Sequence, residues 1–198
     1  MTPELTIEAE KSALRVELTA RRAAAAAADP AAGDRLAAMF PRALVPPPGA
    51  VVSGYVRFRD EIDPAPLLAR LAGAGCALAL PRTPPRRAEG GLSFHRWTPG
   101  DPLVRSVFGV LEPAPDRPTV APDLVLTPLL GFDRAGRRLG YGKGHYDRTL
   151  AALRAVKPVI VVGLAYAAQE VAAIPEAAND ERLDWIVTPD FCVRAKPY

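Results

Sequence analysis

Residues 3–28 carry apolar side chains such as Leu14 and Leu18 at helical spacing, with Glu17 four positions before Arg21, and predict one long helix. A shorter helix is expected after Asp29, ending before Pro41. Beyond the Pro46-Pro47-Pro48-Gly49 break, residues 50–58 are rich in valine and aromatic side chains and read as a strand. A βαβ unit follows: a helix from Pro64 through Leu67, Leu68 and Leu71 to Gly73, then a strand over 76–80 that is apolar throughout, as a strand covered on both faces must be. Residues 81–91 form a loop rich in proline and arginine, and 92–97 suit a strand pairing at a sheet edge. Short apolar runs at 123–127, 159–164 and 185–188 supply further strands, with a helix over about 146–155.

Strands alternating with helices predict a three-layer α/β/α fold, one domain over 1–198 with a mostly parallel sheet and an N-terminal helical segment. Ligands of such folds sit at the carboxyl ends of the strands, so chemistry should be sought there. Several of the 22 prolines fall in Thr2-Pro3, Asp29-Pro30 and Asp63-Pro64, each read as an N-cap side chain followed by proline at the first helical position.

Composition changes this picture little. With 198 residues, 49% hydrophobic and 24% charged, the chain is neither a disordered tail, a collagen-like polymer nor a disulfide scaffold. A net charge of +3 argues against a nucleic-acid partner. Cys76 and Cys192 stand far apart, without zinc-ligand or redox spacing. The longest apolar run, 159–168, is interrupted by Gly163 and falls short of the ~18 residues of a membrane span. Arg21-Arg22 before a run of alanines looks superficially like an export signal, but Glu4, Glu8, Glu10 and Glu17 precede it and alanine makes a poor apolar core. A cytoplasmic protein is expected, and without a coiled-coil pattern or long apolar stripe, a monomer.

The densest chemistry lies in Gly131-Phe-Asp-Arg-Ala-Gly136-Arg-Arg138-Leu139-Gly140-Tyr141-Gly142-Lys143-Gly144-His145-Tyr146-Asp147-Arg148. Alternate glycines let backbone N–H groups approach an anion, and Lys143 adds a point charge just before a helix N-terminus of the same polarity. The run is neither GxxxxGK[ST] nor GxGxxG. Asp147, one turn into the helix, suits Mg²⁺ beside the same phosphates. The residues alone leave open a hairpin tip with solvated arginines. Lys11 and Arg15 share a helix face, which like charges disfavour by roughly 0.2–0.5 kcal/mol unless an anion lies between them or Glu8 and Glu10 neutralise them. Glu61, Asp180 and Glu181 are equally readable as loop carboxylates.

The run from Asp133 to Leu150 resembles the signature of the 5-formyltetrahydrofolate cyclo-ligase family. Lys11-x-x-Leu14-Arg15, Glu61-Ile62, Leu80-Pro81-Arg82, Gly109-x-x-Glu112-Pro113 and Asn179-Asp180 follow in family order. The resemblance implies an enzyme that uses ATP and Mg²⁺ to close 5-formyltetrahydrofolate to 5,10-methenyltetrahydrofolate, releasing ADP and phosphate. It implies ATP contacts from Lys11, Arg15, Arg138, Leu139, Gly140, Tyr141, Gly142, Lys143, Gly144, His145 and Tyr146, with Lys143, Arg138 and Tyr146 in catalytic roles. Asp147 and Asp180 match the Mg²⁺ carboxylates. Glu61 matches a folate-binding acid, Val56 a neighbouring wall position, and Tyr141 to His145 line the folate as well; Phe108 is an aromatic wall candidate. The arginines of 81–87 suit a polyglutamate tail. Two departures stand out: His145 where the family usually has tyrosine, and Asn179 where it usually has histidine. Neither removes an indispensable charge, so retained activity with altered folate affinity is expected. His145 also introduces a group that titrates near neutrality.

Overall fold

Successive residues of the short strands point into two different apolar layers, which is what the uninterrupted valine and leucine runs demand. The structure, a computed structural model, describes residues 3–85 and 90–195. In chain order it contains α1 (Pro3–Ala28), α2 (Ala32–Met39), β1 (Val51–Ser53), α3 (Ala65–Gly73), β2 (Ala77–Arg82), β3 (Ser93–Arg96), β4 (Leu103–Arg105) and β5 (Leu111–Pro113). Then come β6 (Leu124–Pro128), β7 (Gly131–Phe132), β8 (Arg138–Leu139), α4 (His145–Arg154), β9 (Ile160–Leu164), β10 (Trp185–Val187) and β11 (Cys192–Arg194).

The main sheet has the order β11-β10-β9-β6-β1-β2-β3. Its five inner strands run parallel, and β3 and β11 are antiparallel at the edges. Val52, Leu78, Leu124, Leu126 and Val162 face α2 and α3, where Leu36, Phe40, Leu67 and Leu71 are buried. Ala79, Val125, Val161 and Ile186 face the other way, onto Leu150 of α4, Phe94 and Phe132. The three-layer α/β architecture is therefore as the sequence predicts. No helix among the described residues is long and apolar enough to cross a membrane.

Several local expectations are corrected. The strand expected over 50–58 stops at Ser53, because Gly54 makes the last ladder bond to Ala79 (3.0 Å) and packs against Leu68, after which the chain leaves the sheet. Asp29 does not cap α2: Pro30 and Ala31 are taken up by a turn closed by Ala32 N–H on the Asp29 carbonyl, and the Asp29 side chain pairs with Arg35 at 2.8 Å. Asp63 does cap its helix, accepting from the Ala65 N–H at 2.9 Å. Thr2 lies outside the described residues. The hairpins β4–β5 and β7–β8 and the edge strand β11 were not foreseen in the pattern, being too short to show periodicity.

Candidate active site

From β1 the chain moves outward to β2 on one side, and from β6 through β9 to β10 on the other. Strand order thus reverses between β1 and β6, and the loops leaving their carboxyl ends diverge around a crevice. A cavity of about 580 Å³ opens there, lined by the loop after β1, the glycine-rich loop after β8, α1 and the β4–β5 hairpin.

The glycine loop is held at its root by Asp133, a buried carboxylate that accepts from the N–H groups of Ala135, Arg137 and Ile174 at 2.9 to 3.1 Å. Gly142 has φ +85°, which favours glycine, and a Cβ there would sit a tight 3.2 Å from the Arg15 guanidinium carbon. Arg15 Nε donates to the Gly140 carbonyl at 3.1 Å, and its Nη1 pairs with Glu8, as the charge-neutralising reading of this helix face proposed. Gly144, left-handed at φ +63°, opens α4, whose first turn has no side-chain cap and leaves N–H groups for another acceptor.

Lys11, Arg15, Val56, Glu61, Phe108, Arg138 to Asp147 and Asp180 line this one cavity, whereas Glu181 does not and pairs with Arg154 at 2.6 Å. Buried Arg138 donates from Nη2 to Asp147 Oδ1 at 2.7 Å, its guanidinium carbon lies 5.3 Å from the Tyr146 ring centre, and its Nε is buried without a partner. Lys11 is buried and pairs with Asp180, which also accepts from the Ala177 N–H at 2.8 Å. Lys143 is exposed and makes no ion pair with a described residue.

Burial, with the Glu61 charge in reach, pushes the Tyr146 phenol well above its ordinary range, which favours its neutral form. Burial holds His145 below its ordinary range, and Arg148 and Lys143 add to that against a backbone contact with Gly90. The shift favours the neutral imidazole, in the direction away from the titration near neutrality expected of His145; its Nε2 is buried and unpartnered.

On the opposite wall Glu61 is almost fully buried. Its Oε2 accepts from the Phe58 N–H at 3.0 Å and its Oε1 from the Tyr141 hydroxyl at 3.3 Å, across a turn in which Arg59 takes the unusual φ of +57°. Burial raises the Glu61 carboxyl to about 7, opposed by the Phe58 N–H, Arg22 and Tyr141. Phe108 sits on the β4–β5 hairpin with its ring centre 6.0 Å from that of His145. The hairpin root is fixed by buried Glu112, which accepts from the N–H and hydroxyl of Thr83 at 3.0 Å and pairs with Arg82 at 3.2 Å. Arg82 is thus committed to the hairpin and not free for a polyglutamate tail; Arg86 and Arg87 lie outside the described residues.

Among the described residues no three histidine, cysteine or carboxylate side chains form a metal cluster. Asp147 and Asp180 offer hard oxygens in the same cavity, a set that fits Mg²⁺ when phosphate and water complete its shell.

Sequence reading missed Arg22, which reaches Tyr141, Asp60 and Glu61 from α1. The signal was available: residues 11, 15, 18 and 22 fall on one helix face. Arg22 was read only with its neighbour Arg21.

Fold and cavity together define an α/β enzyme with its site at the switch point of a parallel sheet. The sequence profile of the 5-formyltetrahydrofolate cyclo-ligase family matches residues 7–189, and the chain belongs to that family. It is 37% identical over 142 residues to 5-formyltetrahydrofolate cyclo-ligase of Escherichia coli K12, covering 70% of this chain and 77% of that one. It is 34% identical over 149 residues to the Mycolicibacterium smegmatis cyclo-ligase, covering 71% and 74%. The NMR structure of Aquifex aeolicus 5,10-methenyltetrahydrofolate synthetase superposes with a TM-score of 0.73 at 25% identity, over 95% of this chain and 94% of that one.

Proposed function

We propose that this chain cyclises 5-formyltetrahydrofolate to 5,10-methenyltetrahydrofolate at the expense of ATP, binding the triphosphate along the glycine loop and the folate between Glu61 and Phe108. The observation that carries this reading is the pairing, in one cavity, of unpartnered buried nitrogens at Arg138 and His145 beside an uncapped helix start with a buried acid on the far wall.

A formamide oxygen leaves poorly. Transfer of the γ-phosphoryl group to that oxygen, with ADP departing, makes it a leaving group. The N10 lone pair then adds to the formyl carbon, N10 loses its proton, and phosphate departs with the former formyl oxygen. Such transfer depends on positioning and on charge already in place. Arg138, Lys143 and the first-turn N–H groups of α4 neutralise the phosphates, while Lys11 and Arg15 hold the loop and its carboxylates in register. Tyr146 donates a hydrogen bond from its neutral phenol. Glu61 accepts from the amino edge of the pterin ring, and Val56, Tyr141 and Phe108 cover its faces. Asp147 and Asp180 would hold Mg²⁺, which when bound supplies positive charge to the phosphate oxygens.

The test is direct. Protein, Mg-ATP and 5-formyltetrahydrofolate should generate the near-ultraviolet absorbance of the methenyl product together with one ADP per turnover. Binding of both ligands without product would overturn the enzymatic reading, and ATP hydrolysis only with other formamides would overturn the substrate.

A further inference from the structure

Arg22 is 1% exposed, an expensive place for a guanidinium unless its donors are matched. Four groups surround them, and two of the four, Tyr141 and Glu61, line the cavity. Nη2 donates to the Tyr141 hydroxyl at 2.7 Å, Nε to Asp60 at 3.3 Å, and Nη1 to the Leu129 carbonyl at 3.4 Å while lying 3.9 Å from Glu61 Oε1. The guanidinium carbon is 5.4 Å from the Tyr141 ring centre. Tyr141 passes the contact on, its hydroxyl lying 3.3 Å from Glu61 Oε1. Arg22 itself does not line the cavity.

We propose that Arg22 is a positioning residue that clamps the glycine loop to the acid wall through Tyr141 and holds Glu61 as an acceptor aimed at the substrate. The substrate half of this statement rests on the proposed folate reading; the clamp does not. Glu61 is faced by Arg22 from α1, Tyr141 from the glycine loop, Tyr146 from α4, and Tyr55, Asp60 and the Phe58 N–H from its own loop. Among these, Arg22 is the only cation, and it pulls against burial. Without it Glu61 should hold its proton through the neutral range.

The experiment compares full-length wild type with Arg22→Gln, Arg22→Lys and Tyr141→Phe. Carbon-13 NMR titration of the Glu61 carboxyl, assigned with Glu61→Gln, should show its midpoint raised by about one unit in Arg22→Gln, a tenfold change in proton affinity. The rise should be smaller in Arg22→Lys and Tyr141→Phe. The acid limb of kcat/KM for 5-formyltetrahydrofolate should move with it, while KM for ATP in the Arg22 variants stays within about threefold, since Arg22 does not line the cavity. An unmoved midpoint in folded variants, or equal loss for both substrates with no shift of the acid limb, would overturn the proposal. If Arg22→Gln fails to fold, Arg22→Lys and Tyr141→Phe carry the same readouts. If wild type turns over no formyl folate the function reading fails, and the titration still decides the clamp.

Discussion

Along the α4 side of the cavity each ion pair joins a nearly buried cation to a carboxylate that still reaches the open space: side-chain exposure is 4% for Arg138 against 22% for Asp147, and 8% for Lys11 against 27% for Asp180. Along the β1 side Arg22 at 1% faces Glu61 at 5%, a dry pair, and only Asp60, which Arg22 also reaches, is more open at 27%. The same two kinds of group therefore behave differently. A carboxylate at the cavity surface can exchange its partner for a metal or a phosphate-bound cation at modest cost. A carboxylate in the wall cannot exchange and instead carries the cost of burial in its proton affinity, which lifts Glu61 to about 7. One wall is built to rearrange around a ligand, the other to present a preset face.

The most severe test breaks the adaptable wall. Asp147→Ala removes the partner of Arg138 and one candidate metal oxygen, and turnover should fall by about 10²–10³ or more, with Mg²⁺ dependence lost and circular dichroism unchanged. Full activity in that variant would sink the metal assignment.

On the preset wall, Glu61→Gln separates stability from binding. The folded carboxyl sits above its ordinary 4.5, so its contribution to stability is fully present below pH 4.5 and is lost as pH rises through about 7. The glutamine variant should therefore gain on wild type by about 3 kcal/mol between those limits, read as a pH-dependent difference in unfolding midpoint. Loss of a hydrogen bond to a charged group should at the same time raise KM for the folate by about 10- to 100-fold and leave KM for ATP alone.

Smaller effects sharpen the boundary between the walls. Phe108→Ala should raise folate KM by about two- to tenfold, the scale of one aromatic contact, with no change for ATP. His145→Tyr should alter folate KM by less than about threefold and leave the pH profile above neutrality unchanged, because the imidazole is already neutral there. A changed profile would show that His145 is charged in the working enzyme.

These walls were unequally legible in the sequence. The α4 side is contiguous, running from Arg138 to Asp147, so its glycines, cations and carboxylate stand together in the chain. Its remaining members are ambiguous as residues alone, Lys11 being an anion contact or a neutralised helix face and Asp180 a loop carboxylate, and take a role only with the family pattern. The β1 side is assembled from distant pieces. Residues 54–58 look like a strand because valine and aromatic residues suit any half-buried extended backbone, and nothing local says that Gly54 ends the ladder. Arg22 is an arginine in a long helix until Tyr141 and Glu61 arrive beside it. The parallel sheet was readable because its strands are apolar on both faces, whereas β4, β5, β7, β8 and β11 have two or three residues each and no period to detect.

The cations on the inward face of α1 also bear on how the protein comes into being. Their partners lie far down the chain: Arg22 meets Tyr141 after a gap of 119 residues, Arg15 meets Gly140 after 125, and Lys11 meets Asp180 after 169. Such contacts have a high loop-closure cost and form late. α1 is made well before these partners, and its cations find their acceptors only once residues 140–180 have been synthesised. Assembly of the cavity is thereby tied to synthesis of the segment that carries Asp180, and a nascent chain stalled before it would carry the glycine loop without the Lys11 contact.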